Sequence, residues 1–99
     1  MENLILWEMN PDFQPRDAAE RIKAQMQMLE AVKADFEKGV HTAWGMSTSG
    51  NNGYAITKLQ GEQLFMTLAK FMPAVNFKTT PMLSVDECIS CMTQIQKQM

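Results

Sequence analysis

The segment Asn3-Leu-Ile-Leu-Trp-Glu-Met9 is apolar on both faces of an extended chain. Leu4 and Leu6 fall on one side, and Ile5, Trp7 and Met9 on the other. Successive side chains of a strand point to opposite faces of its sheet. A strand of this kind must be covered twice, which is the condition of a central strand. Asn10-Pro11-Asp12 closes it with turn chemistry. Whatever the chain folds into, it has to put neighbours on both edges of this strand and a layer on each of its faces.

From Pro15 to Lys38 the period becomes helical, with Ala19, Ile22, Met26, Leu29, Val32 (or Lys33) and Phe36 at three- and four-residue steps. Pro15 suits the first turn, and Lys38-Gly39 forms a stop. Val40–Ser47 and Tyr54–Leu59 are strand-like and flank Thr48-Ser-Gly-Asn-Asn-Gly53, whose glycines and asparagines suit a hairpin reversal. A second helix is expected from Glu62 to Met72, with Leu64, Phe65, Leu68, Ala69 and Met72 on one stripe and Pro73 as its stop. Ala74–Thr79 forms a fourth strand with Val75 and Phe77 on one face. Ser84-Val-Asp-Glu87 has the form of a capping box and opens a last helix, through about Ile95, with Val85, Cys88, Ile89, Met92 and Ile95 as its stripe. The order β-α-β-β-α-β plus a terminal helix is the ferredoxin-like α+β arrangement: a single domain over residues 1–99, two helices on one face of a four-stranded antiparallel sheet.

Charge and composition remove several function classes. Nine Lys and Arg against eleven Asp and Glu give a net charge of −2 with no basic block, which argues against nucleic acid or an anionic membrane as partner. The longest strictly apolar run is Leu4 to Trp7, too short for a membrane helix, and Glu2 stands where a signal peptide carries basic residues. Two cysteines three apart cannot staple a secreted scaffold, so the expected compartment is the cytoplasm.

The other face of the sheet needs its own cover. On the second strand Val40, Thr42, Trp44 and Met46 share a face, opposite His41, Ala43, Gly45 and Ser47; on the third, Tyr54 and Ile56 oppose Ala55, Thr57 and Leu59. With the bulky sets under the helices, the small sets suit a second sheet or a lined cavity, and a symmetric sheet-to-sheet homodimer meets both needs.

Gly53-Tyr54 at the start of the third strand is similar to the opening of a Gly-Tyr-Asp signature, with Ala55 in place of the acid. Val75-Asn-Phe-Lys-Thr-Thr-Pro81 and Leu83-Ser-Val-Asp-Glu87 are similar to the last strand and exit of small uncharacterised barrel proteins. On these residues and on element order over about residues 3–87, the chain resembles the dimeric α+β barrel superfamily. That group includes muconolactone-isomerase-like, antibiotic-monooxygenase-like and stress-responsive barrel proteins. The resemblance implies dimerisation through the sheets and, for some members, cofactor-independent enzymes acting on small cyclic or aromatic compounds.

Candidate chemistry centres on His41, the one histidine, whose pKa class suits proton transfer near neutrality. Strand parity puts it on the small-residue face, with Glu8 as a candidate second acid or base; its bland alternative is a solvated strand-start residue. Trp7, Trp44 and Tyr54 can make an aromatic row for a flat apolar ligand or simply fill the core. Asn76 and Lys78, opposite Val75 and Phe77, are placed at the barrel interior or its rim. Cys88-Ile-Ser-Cys91 sits too far into its helix, and too close to Asp86 and Glu87, for a thioredoxin-type dithiol. It lacks two further ligands for zinc, so Cys88 is expected to be buried as an apolar residue. The ten methionines fall mostly on apolar stripes and are assigned to packing rather than to copper. No cofactor or metal motif is present. Three functions follow in order: a cofactor-independent isomerase or monooxygenase-like enzyme with His41 and Glu8 moving protons; a non-catalytic ligand-binding or regulatory dimer; and a thiol or metal protein using Cys88 and Cys91.

Overall fold

Local chemistry fixes where each element begins. The Asp17 carboxylate accepts the Glu20 N–H at 3.1 Å, so the first helix starts after Asp17 and leaves Pro15 outside it. Ser84 Oγ accepts the Glu87 N–H at 3.1 Å while the Glu87 carboxylate accepts the Ser84 N–H at 3.0 Å, completing the capping box. The computed structural model describes residues 1–99. In chain order it has β1 (Glu2–Met9), a 3-10 turn (Pro11–Phe13), α1 (Ala18–Glu37), β2 (His41–Met46), β3 (Asn52–Thr57), α2 (Gly61–Ala69), β4 (Val75–Met82) and α3 (Val85–Gln98). The strands form one antiparallel sheet in the order β2-β3-β1-β4. Three helices and a four-stranded antiparallel sheet make a small α+β fold compatible with the ferredoxin-like arrangement. No helix is long and apolar enough to cross a membrane.

β1 is central, as its two apolar faces require. Ile5 and Trp7 point under α1 and α2 and join Ala55, Leu64, Leu68, Phe71 and Val75 in the buried core. Leu4, Leu6 and Glu8 point the other way, opposite Ile56, Tyr54 and Asn52 of β3 and Thr80, Lys78 and Asn76 of β4. No helix covers that second face, and Leu6 and Tyr54 are 47% and 43% exposed on it.

Four expectations need correcting. The bulky pair Tyr54 and Ile56 does not lie beneath the helices; Ala55 and Thr57 do, and Thr57 is fully buried. The two indoles of Trp7 and Trp44 fill the space above the sheet there, so β3 can offer only small side chains under them. Any Cβ at Gly53 would stand 2.5 Å from Trp7 Cζ2. Second, a β-bulge between His41 and Ala43 breaks the alternation of β2. His41 faces Thr57 and Trp44 faces Ala55, so both point beneath the helices, and His41 shares the face of Trp44 instead of opposing it.

Third, the apolar stripe of α1 points away from the sheet: Ile22, Met26, Leu29 and Phe36 are all exposed. The inward side is made of Ala24, Gln25, Met28, Ala31, Val32 and Asp35. Fourth, every residue of α3 is exposed, so Cys88 is not buried; it and Cys91 are free thiols at the surface. α3 leaves β4 after two residues and projects from the body, giving the chain extents of 61 × 25 × 25 Å. With no packing surface over it, its stripe has nothing to be buried against.

Candidate functional site

Between α1 and the helix-covered face of the sheet lies a half-open pocket of about 200 Å³. Its floor is Ile5, Trp7, Trp44 and Ala55, with Met28 and Val32 of α1 above and Phe71 at one side. Ser49, Gly50 and Asn51 of the β2–β3 turn stand at its edge with the exposed Leu29. Thirteen of its 18 lining residues are hydrophobic, and none is Asp, Glu, Lys or Arg, so the wall carries no formal charge while His41 is neutral.

Trp7 and Trp44 stack with ring centroids 5.6 Å apart and planes inclined by 14°. Gly53 makes this possible, since Trp7 lies directly over its Cα where a side chain would stand. His41 is held at the far row of the floor. Thr57 Oγ1 donates to the Val40 carbonyl at 2.6 Å and accepts the Leu59 N–H at 3.1 Å, pinning the residue before His41 to the end of β3. On β3 the His41 row (Thr57) and the Trp7 row (Gly53) are four residues apart, so the two side chains mark opposite ends of the pocket.

Two buried side-chain atoms have no hydrogen-bond partner, Trp7 Nε1 and His41 Nδ1, and both belong to residues of this pocket. Buried polar atoms are nearly always paired, so these two are exceptions, and both fall on residues of one site. Burial lowers the His41 pKa from its ordinary 6.5, the Lys70 charge adds to that, and the Asp35 carboxylate opposes it. Asp35 is itself buried, and Lys70 Nζ donates to both its oxygens at 2.7 and 2.9 Å. The imidazole is thus neutral near pH 7, able to accept a proton.

A stability test follows from that shift. The unfolded chain takes up a proton on His41 below about pH 6.5, and the native chain resists it. Native stability therefore falls as pH drops from 6.5 toward the lowered native value and is level with respect to this group below both. In urea unfolding followed across that window, His41→Gln should show a flatter pH profile than the wild type. Parallel profiles would show that His41 is as easily protonated folded as unfolded.

Of the residues singled out from sequence, the structure brings together His41, Trp7 and Trp44. It separates them from Tyr54, Glu8 and Asn76. Those three lie on the open face of the sheet, where Glu8 pairs across to Asn76 and Tyr54 to Leu6. The expected aromatic row is a stacked pair, and Glu8 has the sheet between it and His41. Lys78 shares the open face. Sequence reasoning missed Asp35, Lys70, Met28 and Phe71. Asp35 left one signal: the row Met28, Val32, Asp35 runs at steps of four and three, which puts an acid on an otherwise inward row.

Cys88 and Cys91 stand one turn apart on α3, and no group of three or more His, Cys, Asp or Glu side chains is gathered to hold a metal ion. No protein-family model matches the chain, and no curated protein matches it in sequence.

Proposed function

We propose that this chain binds a small, neutral, flat apolar molecule between α1 and the sheet and moves a proton on it with His41, without a cofactor. The supporting observation is the coincidence, in one uncharged pocket, of stacked Trp7 and Trp44 with a neutral histidine whose Nδ1 has no partner. An engineered cavity of about 150 Å³ takes benzene, so a pocket of about 200 Å³ suits one substituted ring. The reaction class that needs only these groups is a double-bond shift next to a carbonyl. His41 takes the proton from the carbon between alkene and carbonyl, and the imidazolium returns it to the far alkene carbon. Nothing is oxidised and nothing else is consumed. The working unit in this reading is a homodimer paired through the open sheet face, where Leu4, Leu6, Tyr54 and Ile56 stand unroofed between Glu8, Asn52, Asn76 and Lys78. It is a dimeric α+β barrel, as the resemblance of Gly53-Tyr54 and the last strand implies.

A non-catalytic ligand-binding dimer is the second reading, favoured by the distance of Glu8 from His41 across the sheet. One experiment separates the two. The only tryptophans of the chain both line the pocket, so their fluorescence reports occupancy by phenol or acetophenone. 3-Cyclohexenone in deuterated water, followed by proton NMR, reports conversion to the conjugated ketone. The enzyme reading expects saturable quenching and turnover in the wild type, with quenching kept and turnover lost at least 100-fold in His41→Gln. Quenching without turnover leaves the binding module. No saturable quenching overturns both.

A further inference from the structure

The chain by itself leaves too much surface uncovered. A folded monomer of 11.2 kDa exposes about 5,700 Å², whereas this chain exposes 7325 Å². Its radius of gyration is 16.9 Å, against about 13 Å for a compact chain of this length. The excess of about 1,600 Å² per chain would amount to about 3,200 Å² between two copies, within the roughly 2,000–5,000 Å² that obligate homodimers bury.

Much of that surface lies on two helical stripes that nothing covers. On α1 it is Ile22, Met26, Leu29, Lys33 and Phe36, at steps of 4, 3, 4 and 3. On α3 it is Val85, Cys88, Met92 and Ile95, continued by the capping residue Met99, at steps of 3, 4, 3 and 4. Both have the spacing of a coiled-coil seam, and one read backwards matches the other. An antiparallel alignment sets Val85 beside Phe36, Cys88 beside Lys33, Met92 beside Leu29, Ile95 beside Met26 and Met99 beside Ile22. The single charge in the α1 seam, Lys33, then meets the acidic first turn of α3, with Asp86 and Glu87. The exposed pair on α2, Phe65 and Met66, extends over no comparable length.

We propose that α3 is an exchange arm: in a homodimer, each copy lays α3 antiparallel along the outer stripe of its partner's α1. Leu29 belongs both to that stripe and to the pocket wall. The incoming arm therefore brings Met92 of the partner subunit to the pocket's edge, and the ligand site is closed by two chains. This inference rests on the homodimer of the preceding subsection and adds to it an interface separate from the sheet face.

The test uses the full chain with Cys91→Ser, so that Cys88 is the one native thiol. Under mild oxidation Lys33→Cys should give a covalent dimer whose peptides join position 33 of one chain to Cys88 of the other. Met26→Cys, two seam positions away, should give little. In analytical ultracentrifugation, Met92→Asp should weaken the dimer at least 100-fold; the side chain is 62% exposed in the single chain, so the fold itself tolerates the change. A wild-type monomer at micromolar concentration would overturn both the arm and the homodimer. A dimer indifferent to Met92→Asp, with no cross-link from position 33, would overturn the arm and leave the sheet-paired dimer standing. A bond from position 33 to Cys88 within one chain would overturn the exchange.

Discussion

Gly53→Ala should cost the native state about 3 kcal/mol or more, read as the loss in unfolding free energy from urea titration. The added methyl would run into the Gly45 carbonyl oxygen of the neighbouring strand and into Trp7 Cζ2 and Cε2, at 2.5 and 2.7 Å. One obstacle is backbone, in the middle of a paired hairpin, and the other is an indole locked against Trp44. Neither can step aside. Gly45→Ala provides the control on the same hairpin. Its methyl would meet the ring of Tyr54, nearest at Cε1 at 2.5 Å, the far part of a side chain that is 43% exposed on the open face. That variant should lose less than about 1 kcal/mol. Equal losses at the two positions would mean that the Trp7 stack does not confine Gly53.

Lys70→Met should destabilise by about 2–3 kcal/mol and raise the His41 pKa. Removing one partner of a buried ion pair leaves an uncompensated charge, at a cost of about 3–5 kcal/mol when both are buried. The lower figure applies because Asp35 is buried but the Lys70 side chain is 49% exposed. The second effect has a definite sign. The Lys70 charge lowers the His41 pKa and the Asp35 carboxylate raises it, so losing the lysine leaves the upward influence unopposed. Proton NMR of the single imidazole reads that shift directly. Adding Asp35→Asn should recover most of the stability and reverse the rise. If the His41 titration is the same in Lys70→Met as in the wild type, the ion pair is not felt at the pocket.

The order of elements was legible because each obeys one local rule. The two-faced apolar strand Asn3–Met9, the turn-forming Asn and Gly before Tyr54 and the capping box at Ser84 are short-range chemistry, and each survives folding unchanged. What pattern reading could not supply was depth. From pattern alone the α1 stripe reads as inward, because apolar residues are assumed to seek their own core. In this chain α1 turns alanine, valine, methionine and a paired aspartate toward an open pocket over Trp7 and Trp44, and its apolar stripe outward. Cys88 reads as interior on the same assumption. The site was half visible. Residue type marks His41, Trp7 and Trp44, but counting by twos along β2 sets the histidine opposite Trp44, because the bulge between them leaves no mark in the pattern. Glu8 is grouped with it by its place near the end of β1, Tyr54 by strand order and Asn76 by alternation along β4, and none of these fixes which face of the sheet holds the pocket.

The bulge in β2 bears on how a chain like this tolerates changes of length. Between His41 and Trp44 the strand has one residue more than its partner between Thr57 and Ala55. A shorter relative, lacking Thr42, would pair regularly with β3 and keep both the imidazole and the indole where they are. Gaining a residue there would instead oblige the strand to absorb two surplus positions. Among relatives of different length, then, the distance from this histidine to this tryptophan is free to be two residues or three, and a comparison that insists on aligning them at a constant interval would miss the same pocket.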